Sequence, residues 1–391
     1  MRHALVLHCP QGFAAAVLAG GLLLTAAPGA FAQAAPAAAS ASSSDTPSIK
    51  LGATIFSDYT YQSEPTTTDA AGNTINPSSF NVSRAYINLM GNVSRLVSFR
   101  ITPDVTRETG SGSSLNGSLT LRLKYAYGQI SLDDWLPKGS WIRIGQQQTP
   151  YLDYAEGIYR YRFQGTMFPE RQGYLSSADA GVSFHATLPG DYGDVHVGYY
   201  NGENYNHAEV NNQKSFQARA SIRPVPGEPL LKGWRVTGFV VQDHYMEHAP
   251  RNRYLLQTTY EHPLVNVGVD YLKTTDKASS ALTDGLDLNP TLEGTGVSFW
   301  ATPKKAYANG SSIEALVRYD HMKPGGAVGG TTLTSPNAVN NEWIGGVAYW
   351  FPKKGSVSYA IMFDVDNATY SNWATARPTV RRFYVHTLVN F

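Results

Sequence analysis

Arg382-Phe-Tyr-Val-His-Thr-Leu-Val-Asn-Phe391 closes the chain, and its reading decides the fold. Phe383, Val385, Val389 and Phe391 alternate with Arg382, Tyr384, His386 and Asn390. A period of two puts one set on each face of a β-strand. The same period runs back through the chain. Val97, Phe99 and Ile101 alternate with Ser98, Arg100 and Thr102, and Leu119, Leu121, Leu123 and Tyr125 with Thr120, Arg122, Lys124 and Ala126. Phe216, Ala218, Ala220 and Ile222 alternate with Gln217, Arg219, Ser221 and Arg223. Ile313, Ala315, Val317 and Tyr319 alternate with Glu314, Leu316, Arg318 and Asp320.

Sixteen such segments are expected, beginning near Ile49, Phe80, Arg95, Ser118, Ser140, Ala178, Asp194, Lys214, Gly233, Asn252, Leu264, Thr291, Ser312, Asn341, Ser356 and Ala376. Their connections alternate in length. Residues 91–94, 188–193, 262–263 and 351–355 are short turns, whereas 62–79, 107–117, 150–177, 276–290 and 323–339 are long and polar. A soluble β-sandwich has no reason to sort its loops this way. A transmembrane antiparallel β-barrel of about 16 strands, with short periplasmic turns and long extracellular loops, does. Both ends of the barrel then lie on the periplasmic side, with Phe391 at the foot of the closing strand. Aromatic clusters at segment ends, Phe299-Trp300, Tyr349-Trp350-Phe351 and Trp141, are expected at the two membrane–water interfaces.

The start of the chain reads as a secretory signal peptide over 1–32. Arg2 and His3 precede the apolar run Phe13 to Leu24, and Ala30-Phe31-Ala32 fits a cleavage site before Gln33. Residues 33–48 form an Ala/Ser/Pro-rich periplasmic tail without periodicity, and 49–391 the barrel. Cys9, the only cysteine, falls inside the signal, so the exported chain has no disulfide. Arg2 is the one charged residue before Gln33, which leaves 30 basic against 30 acidic residues. That balance argues against a nucleic-acid partner.

In such a barrel the apolar face meets lipid and the polar face meets water, and sixteen strands leave an aqueous channel. The polar face carries Arg100, Arg122, Lys124, Arg143, Arg219, Arg223, Arg235, Arg318 and Arg382. Guanidinium groups stay charged and their donors suit oxyanions. Ion pairs with Asp104, Asp270, Glu314 or Asp320 are the alternative for each of them. The long segment 150–177 is too aromatic for an exposed loop and is expected to fold against the inner wall as a constriction. It offers Arg160, Arg162 and Arg171 beside Asp153, Glu156 and Glu170. A mixed-charge ring of this kind sets ion selectivity.

The order of motifs resembles the phosphate-selective porin O and P family. Phe80-Asn-Val-Ser-Arg-Ala-Tyr-Ile-Asn-Leu-Met-Gly91 is similar to its early strand and turn. Leu123-Lys-Tyr-Ala-Tyr-Gly-Gln129, then Trp141-Ile-Arg-Ile-Gly-Gln-Gln-Gln-Thr-Pro150, follow its order of strand, Gly-Gln, Pro and long loop. Val197-Gly-Tyr-Tyr-Asn-Gly202 is similar to a further strand end. The resemblance spans roughly Ile49 to Phe391. It implies a sixteen-stranded homotrimeric porin of the Gram-negative outer membrane, among lipid and lipopolysaccharide, passing small anions such as phosphate. It also implies that the terminal Phe391 is the tag taken up by the outer-membrane assembly machinery. One departure stands out: the family's selectivity rests on constriction lysines, and 150–177 contains none.

Catalytic patterns are sparse. His244-Tyr-Met-Glu-His248 matches H-x-x-E-H but falls where an outer loop is due, not on a zinc-binding helix. There is no G-x-S-x-G, and the ten histidines are scattered. The expectation is a passive channel with an anion bias, with no catalytic residue, metal or cofactor. A general or sugar-type channel is the alternative, then an outer-membrane barrel enzyme.

Overall fold

The computed structural model describes residues 45–277, 291–325 and 335–391, and the backbone of 282–283, 286–287, 327–328 and 332–333. The expected signal peptide lies outside these residues, as does most of the tail, and so do parts of the loops around 284 and 330.

Sixteen antiparallel strands form one closed barrel. They are β1 (Ser48–Glu64), β2 (Ser78–Asn92), β3 (Val97–Arg107), β4 (Leu119–Ser131), β5 (Trp141–Gln148) and β6 (Ala178–Leu188). β7 (Gly193–Tyr200), β8 (Ser215–Ile222), β9 (Trp234–Met246), β10 (Ala249–His262) and β11 (Val265–Lys277) follow. The last five are β12 (Thr291–Ala306), β13 (Ser312–Lys323), β14 (Val339–Trp350), β15 (Ser358–Ser371) and β16 (Val380–Asn390). Each strand pairs with its neighbours in sequence. β1 pairs with both β2 and β16, so no edge is left open. Phe391 seals the seam: its N–H donates to the Ala53 carbonyl and its carbonyl accepts from Ala53 N–H, both at 3.0 Å. Among the described residues no helix is long and apolar enough to cross a membrane; the crossing elements are strands, which satisfy every backbone group through the closed ladder.

Strand starts depart from the sequence expectation by at most four residues, the largest shift being Ala376 to Val380. Loop sorting holds with three exceptions, the mildest being the nine residues 132–140 at the short-turn end against the eight residues 372–379 at the long-loop end. At the long-loop end β9 and β10 are joined by Glu247-His248 alone, and at the short-turn end residues 223–233 make an extended connection.

Two expectations about side-chain direction are corrected. Tyr125 does not share the outward face of Leu123. The β3–β4 register shifts between Thr102 and Pro103, with Tyr125 opposite Thr102 and Leu123 opposite Pro103. Lys124 is the extra residue of this bulge, so Tyr125, Tyr127 and Gln129 turn inward beyond it, while Leu119, Leu121 and Leu123 stay outside. Nor do Trp141, Trp300 and Trp350 sit at the membrane surface. All three are buried inside the barrel, while their neighbours Ile142, Phe299 and Phe351 are exposed on the outside. With a period of two, adjacent rings cannot share a face. The outward aromatics are instead paired across strands: Tyr59 with Phe80 at 4.8 Å, Tyr61 with Phe383 at 6.3 Å and Tyr319 with Trp343 at 4.4 Å.

Candidate functional site

Residues 149–177 leave the long-loop end of β5 and return to β6. They contain α1 (Leu152–Tyr159) and the single turn α2 (Phe168–Arg171). α1 ends at Arg160, whose left-handed φ of 71° lets its N–H bond the Glu156 carbonyl. A side chain there costs about 1 kcal/mol relative to glycine. The turn brings the Arg160 guanidinium to 3.3 Å from Glu314 on β13 and over the Trp350 ring at 4.9 Å.

The segment packs on the inward face of β9–β15. Tyr151 stacks on Phe239 at 5.4 Å, Tyr159 meets Trp300 edge-on at 5.2 Å, and Phe163 meets Trp350 at 5.6 Å. Leu152, Met167 and Phe168 are fully buried against a wall that includes Leu255, Leu272, Leu316, Met322 and Ile344. Burying each such side chain contributes about 1.5–3 kcal/mol. Two glycines make the room: a Cβ on Gly268 would strike the Trp300 indole, and one on Gly296 would lie 2.5 Å from the Phe168 ring. Polar ties fix the register. Tyr151 OH donates to Asp270 at 2.6 Å, Asn266 to the Ile158 carbonyl at 3.2 Å, and Arg318 to the Thr166 carbonyl at 2.9 Å. Arg219 donates to the Pro150 carbonyl at 2.7 Å.

The basic residues singled out in the sequence, Arg382 aside, divide into two groups. In the first, every charge has a carboxylate partner. Arg171 contacts Glu342 at 2.5 Å and Asp366 at 2.9 Å, and Arg318 contacts Asp320 at 2.5 Å. Arg219 pairs with Asp194, and Arg160 with Glu314 as above. Arg162 stays on the loop, 2.8 Å from Glu156 and 3.9 Å from Glu170. Burial disfavours its charge, yet these two carboxylates hold its guanidinium above the ordinary value. Arg122 shares Asp104 with Arg84, at 3.3 and 2.6 Å. Arg223 lies past the end of β8 against Asp191, and Arg235 pairs with Glu261.

In the second group, among the described residues, no carboxylate comes within ion-pair distance of Arg100, Lys124 or Arg143. All three face inward from the adjacent strands β3, β4 and β5, interleaved with aromatic rings. Arg100 lies over Tyr125 at 4.6 Å and donates to Asn88 at 2.8 Å and Thr102 at 2.9 Å. Lys124 Nζ stands 4.9 Å from the Tyr86 centroid and 5.2 Å from that of Tyr125. Arg143 sits over Trp141 at 3.7 Å and Tyr127 at 4.6 Å, and donates to Gln129 at 2.8 Å. Arg100 Nη1, Tyr86 OH and Tyr127 OH are buried without a protein partner. The loop faces this wall with its acids: Asp153 accepts from Tyr125 OH at 3.1 Å. Arg382 stands apart on β16, donating to Gln62 at 2.8 Å.

Sequence reading missed Arg84, hidden behind a second register shift at Phe56/Ser57. It also missed Arg251 and Arg253, which pair with Asp243 at 2.7 Å and Asp276 at 2.8 Å. Their spacing of two in Arg251-Asn-Arg253 was a usable signal. They help line a cavity of about 410 Å³ on the long-loop side of the folded-in segment, with Tyr174, Gln217, Phe239 and Tyr245. His244 and His248 lie on the β9–β10 hairpin, not on a helix.

No protein-family model matches the chain, and no curated protein does. Solved structures do. The anion-selective porin from Comamonas acidovorans superposes with a TM-score of 0.56 at 10% identity, over 88% of this chain and 100% of that one. OmpF of Salmonella typhi, in complex with daunomycin, gives 0.53 at 12% identity over 87% and 97%. The trimer form of OmpT, an outer membrane protein of Vibrio cholerae, gives 0.53 at 9% identity over 89% and 100%. At these identities the likeness is one of fold: the chain has the barrel fold of outer-membrane porins, and these likenesses do not show membership of the O and P family.

Proposed function

We propose that this chain is an outer-membrane porin through which small hydrophilic solutes diffuse passively, with a preference for anions. The observation that carries the preference is the uncompensated Arg100–Lys124–Arg143 wall. Fixed cations without carboxylate partners raise the local concentration of anions and repel cations. The acids Asp153, Glu156 and Glu170 across from them give the narrow zone a transverse field, which makes 149–177 the constriction. Lys124 is the one lysine among these basic residues, so oxyanions in general, phosphate included, are the substrate class. Export by the 1–32 signal with cleavage near Ala32, uptake by the assembly machinery through Phe391, and a homotrimer embedded in outer-membrane lipid and lipopolysaccharide belong to the same reading. The trimer form of the Vibrio cholerae protein supports the last of these.

The test is single-channel recording of the purified protein in planar bilayers. Discrete conductance steps are expected, and in a salt gradient the reversal potential has the sign of anion preference with both chloride and phosphate. Failure to form steps defeats the channel, and a cation-selective reversal potential defeats the anion bias. A general channel for uncharged solutes is the second reading, and the balance of acids and arginines around the 410 Å³ cavity, Asp243 and Arg251 among them, favours it. Equal permeation of sugars and anions of matched size would decide for it.

A further inference from the structure

The folded-in segment carries a group whose chemistry the channel reading does not yet use. Glu156, at the middle of α1, and Glu170, in α2, converge on the one guanidinium of Arg162, at 2.8 and 3.9 Å. All three side chains are largely buried, at 11, 17 and 16% side-chain exposure. Glu156 Oε1 and Glu170 Oε2 receive no hydrogen bond, and neither does Arg162 Nε find an acceptor of good geometry. Two buried carboxylates on a single cation leave one negative charge uncompensated. Its neutralisation by a proton costs less than its burial.

Among the described residues no second cation comes within ion-pair distance of either acid, and Lys124 acts on Glu156 only from further away. From α1 itself comes another acid, Asp153. From the wall come Lys124 and Tyr125 on β4 and Tyr86 on β2. Tyr205, in the loop after β7, reaches toward Arg162 but is held by Arg122, whose guanidinium donates to its hydroxyl at 2.7 Å. Arg84, also near Arg162, is committed to Asp104 at 2.6 Å.

We propose that Glu156, sharing the one cation Arg162 with Glu170, holds a proton, and that loss of this proton makes Glu156 the residue that sets how strongly the pore prefers anions. Burial pushes the Glu156 carboxyl up to about 8, aided by the charges of Glu170 and Asp153 and opposed by Arg162 and Lys124. The sign follows. Below that pH Glu156 is protonated, the loop edge is less negative, and the basic wall dominates. As pH rises through it, the narrow zone gains one negative charge facing Arg100, Lys124 and Arg143, and anion preference falls.

This rests on the channel reading, so the experiment must separate the two. Reversal potentials in a potassium chloride gradient are recorded from pH 6 to 9.5 on the whole protein. The chloride-to-potassium permeability ratio should fall about three- to tenfold, what one unit charge about 7 Å from a passing ion does in water. The midpoint should lie near 8. Glu156→Gln should hold the ratio at its low-pH value throughout. Glu170→Gln should leave Glu156 paired one-to-one with Arg162 and move the midpoint below pH 7. Conductance steps with a ratio that is flat with pH overturn the titration of Glu156 and leave the channel standing, as does a fall that persists unchanged in Glu156→Gln. Absence of conductance steps is the failure of the channel reading itself.

Discussion

Two walls of the same barrel are built on opposite rules. On β9–β15 the inward side chains alternate between apolar ones such as Phe239, Leu272, Trp300 and Leu316 and charged ones such as Asp270, Arg318 and Glu342. The segment 149–177 covers this wall, and every arginine at the contact, Arg160, Arg171 and Arg318, meets a carboxylate. On β2–β5 Arg84 and Arg122 share Asp104, but Arg100, Lys124 and Arg143 meet rings, amides and hydroxyls instead. Both walls bury their cations and offset the desolvation by different means. A charge sealed under a packed segment must be neutralised where it lies, because an unpaired one there costs several kcal/mol. Arg100, Lys124 and Arg143 are just as buried, at 2, 4 and 4% exposure, and there ring faces and neutral acceptors stand where a carboxylate would. Arginine count along the sequence therefore says little about lumen charge: what differs between the walls is how many of the cations have a carboxylate within ion-pair distance.

The strongest way to break this comparison is to neutralise each wall separately. Replacing Arg100, Lys124 and Arg143 together by glutamine should reduce the chloride-to-potassium permeability ratio by more than tenfold, since three unit charges face the solute at short range. The barrel should stay intact, because none of the three closes an ion pair. Arg160→Gln and Arg171→Gln should behave differently. Each leaves Glu314, or Glu342 with Asp366, buried without its cation, so the segment loosens before selectivity changes. Reversal potentials alongside open-channel noise separate the outcomes. If the wall triple keeps its anion preference, the uncompensated cations are not the filter.

A second effect tests what holds the segment in place. Trp300→Ala removes the indole that fills the space over Gly268 and seats Tyr159. A truncation of this kind costs about 3–5 kcal/mol. The loss falls on the loop's seat and not on the β-ladder, so the expected signature is larger and noisier single-channel conductance with an unchanged barrel. A conductance identical to the parent would mean that the polar ties alone hold 149–177.

These contrasts mark how far the sequence could be read. The strands and their number were legible because a half-apolar strand has a period of two and turns interrupt it at regular intervals. Sixteen strands close with starts near the expected places. The side-chain faces were legible only while the period ran unbroken. One inserted residue, Lys124, reverses the phase of β4 and sends Tyr125 and Tyr127 inward, and nothing in Leu-Lys-Tyr-Ala-Tyr announces it. Inward tryptophans were illegible for a different reason. An apolar inward face contradicts a water-filled lumen unless another segment covers it, and that cover comes from residues as distant as Tyr159 over Trp300 or Arg160 against Glu314. The aromatic excess of 150–177 was the one local sign that such a cover exists.

The smallest effect sharpens the same point, because it sets an outward tryptophan against an inward one. Trp343, on β14, is 53% exposed and pairs with Tyr319 across the strand at 4.4 Å. Trp300, on β12, is 1% exposed and faces the covered lumen. Composition does not distinguish them: each is a strand tryptophan next to an apolar residue, Ile344 or Phe299. Trp343→Ala leaves no sealed void, because solvent or lipid reaches the site, so what is lost is the ring pair, about 0.5–1.5 kcal/mol. Conductance and selectivity should be those of the parent, and the midpoint of denaturant unfolding from lipid vesicles should drop slightly. Trp300→Ala should do the reverse, changing conductance strongly through the loop's seat. If both variants disturb conductance equally, the outward ring is coupled to the lumen through β14, and the separation of the two faces drawn from the alternation fails at that strand.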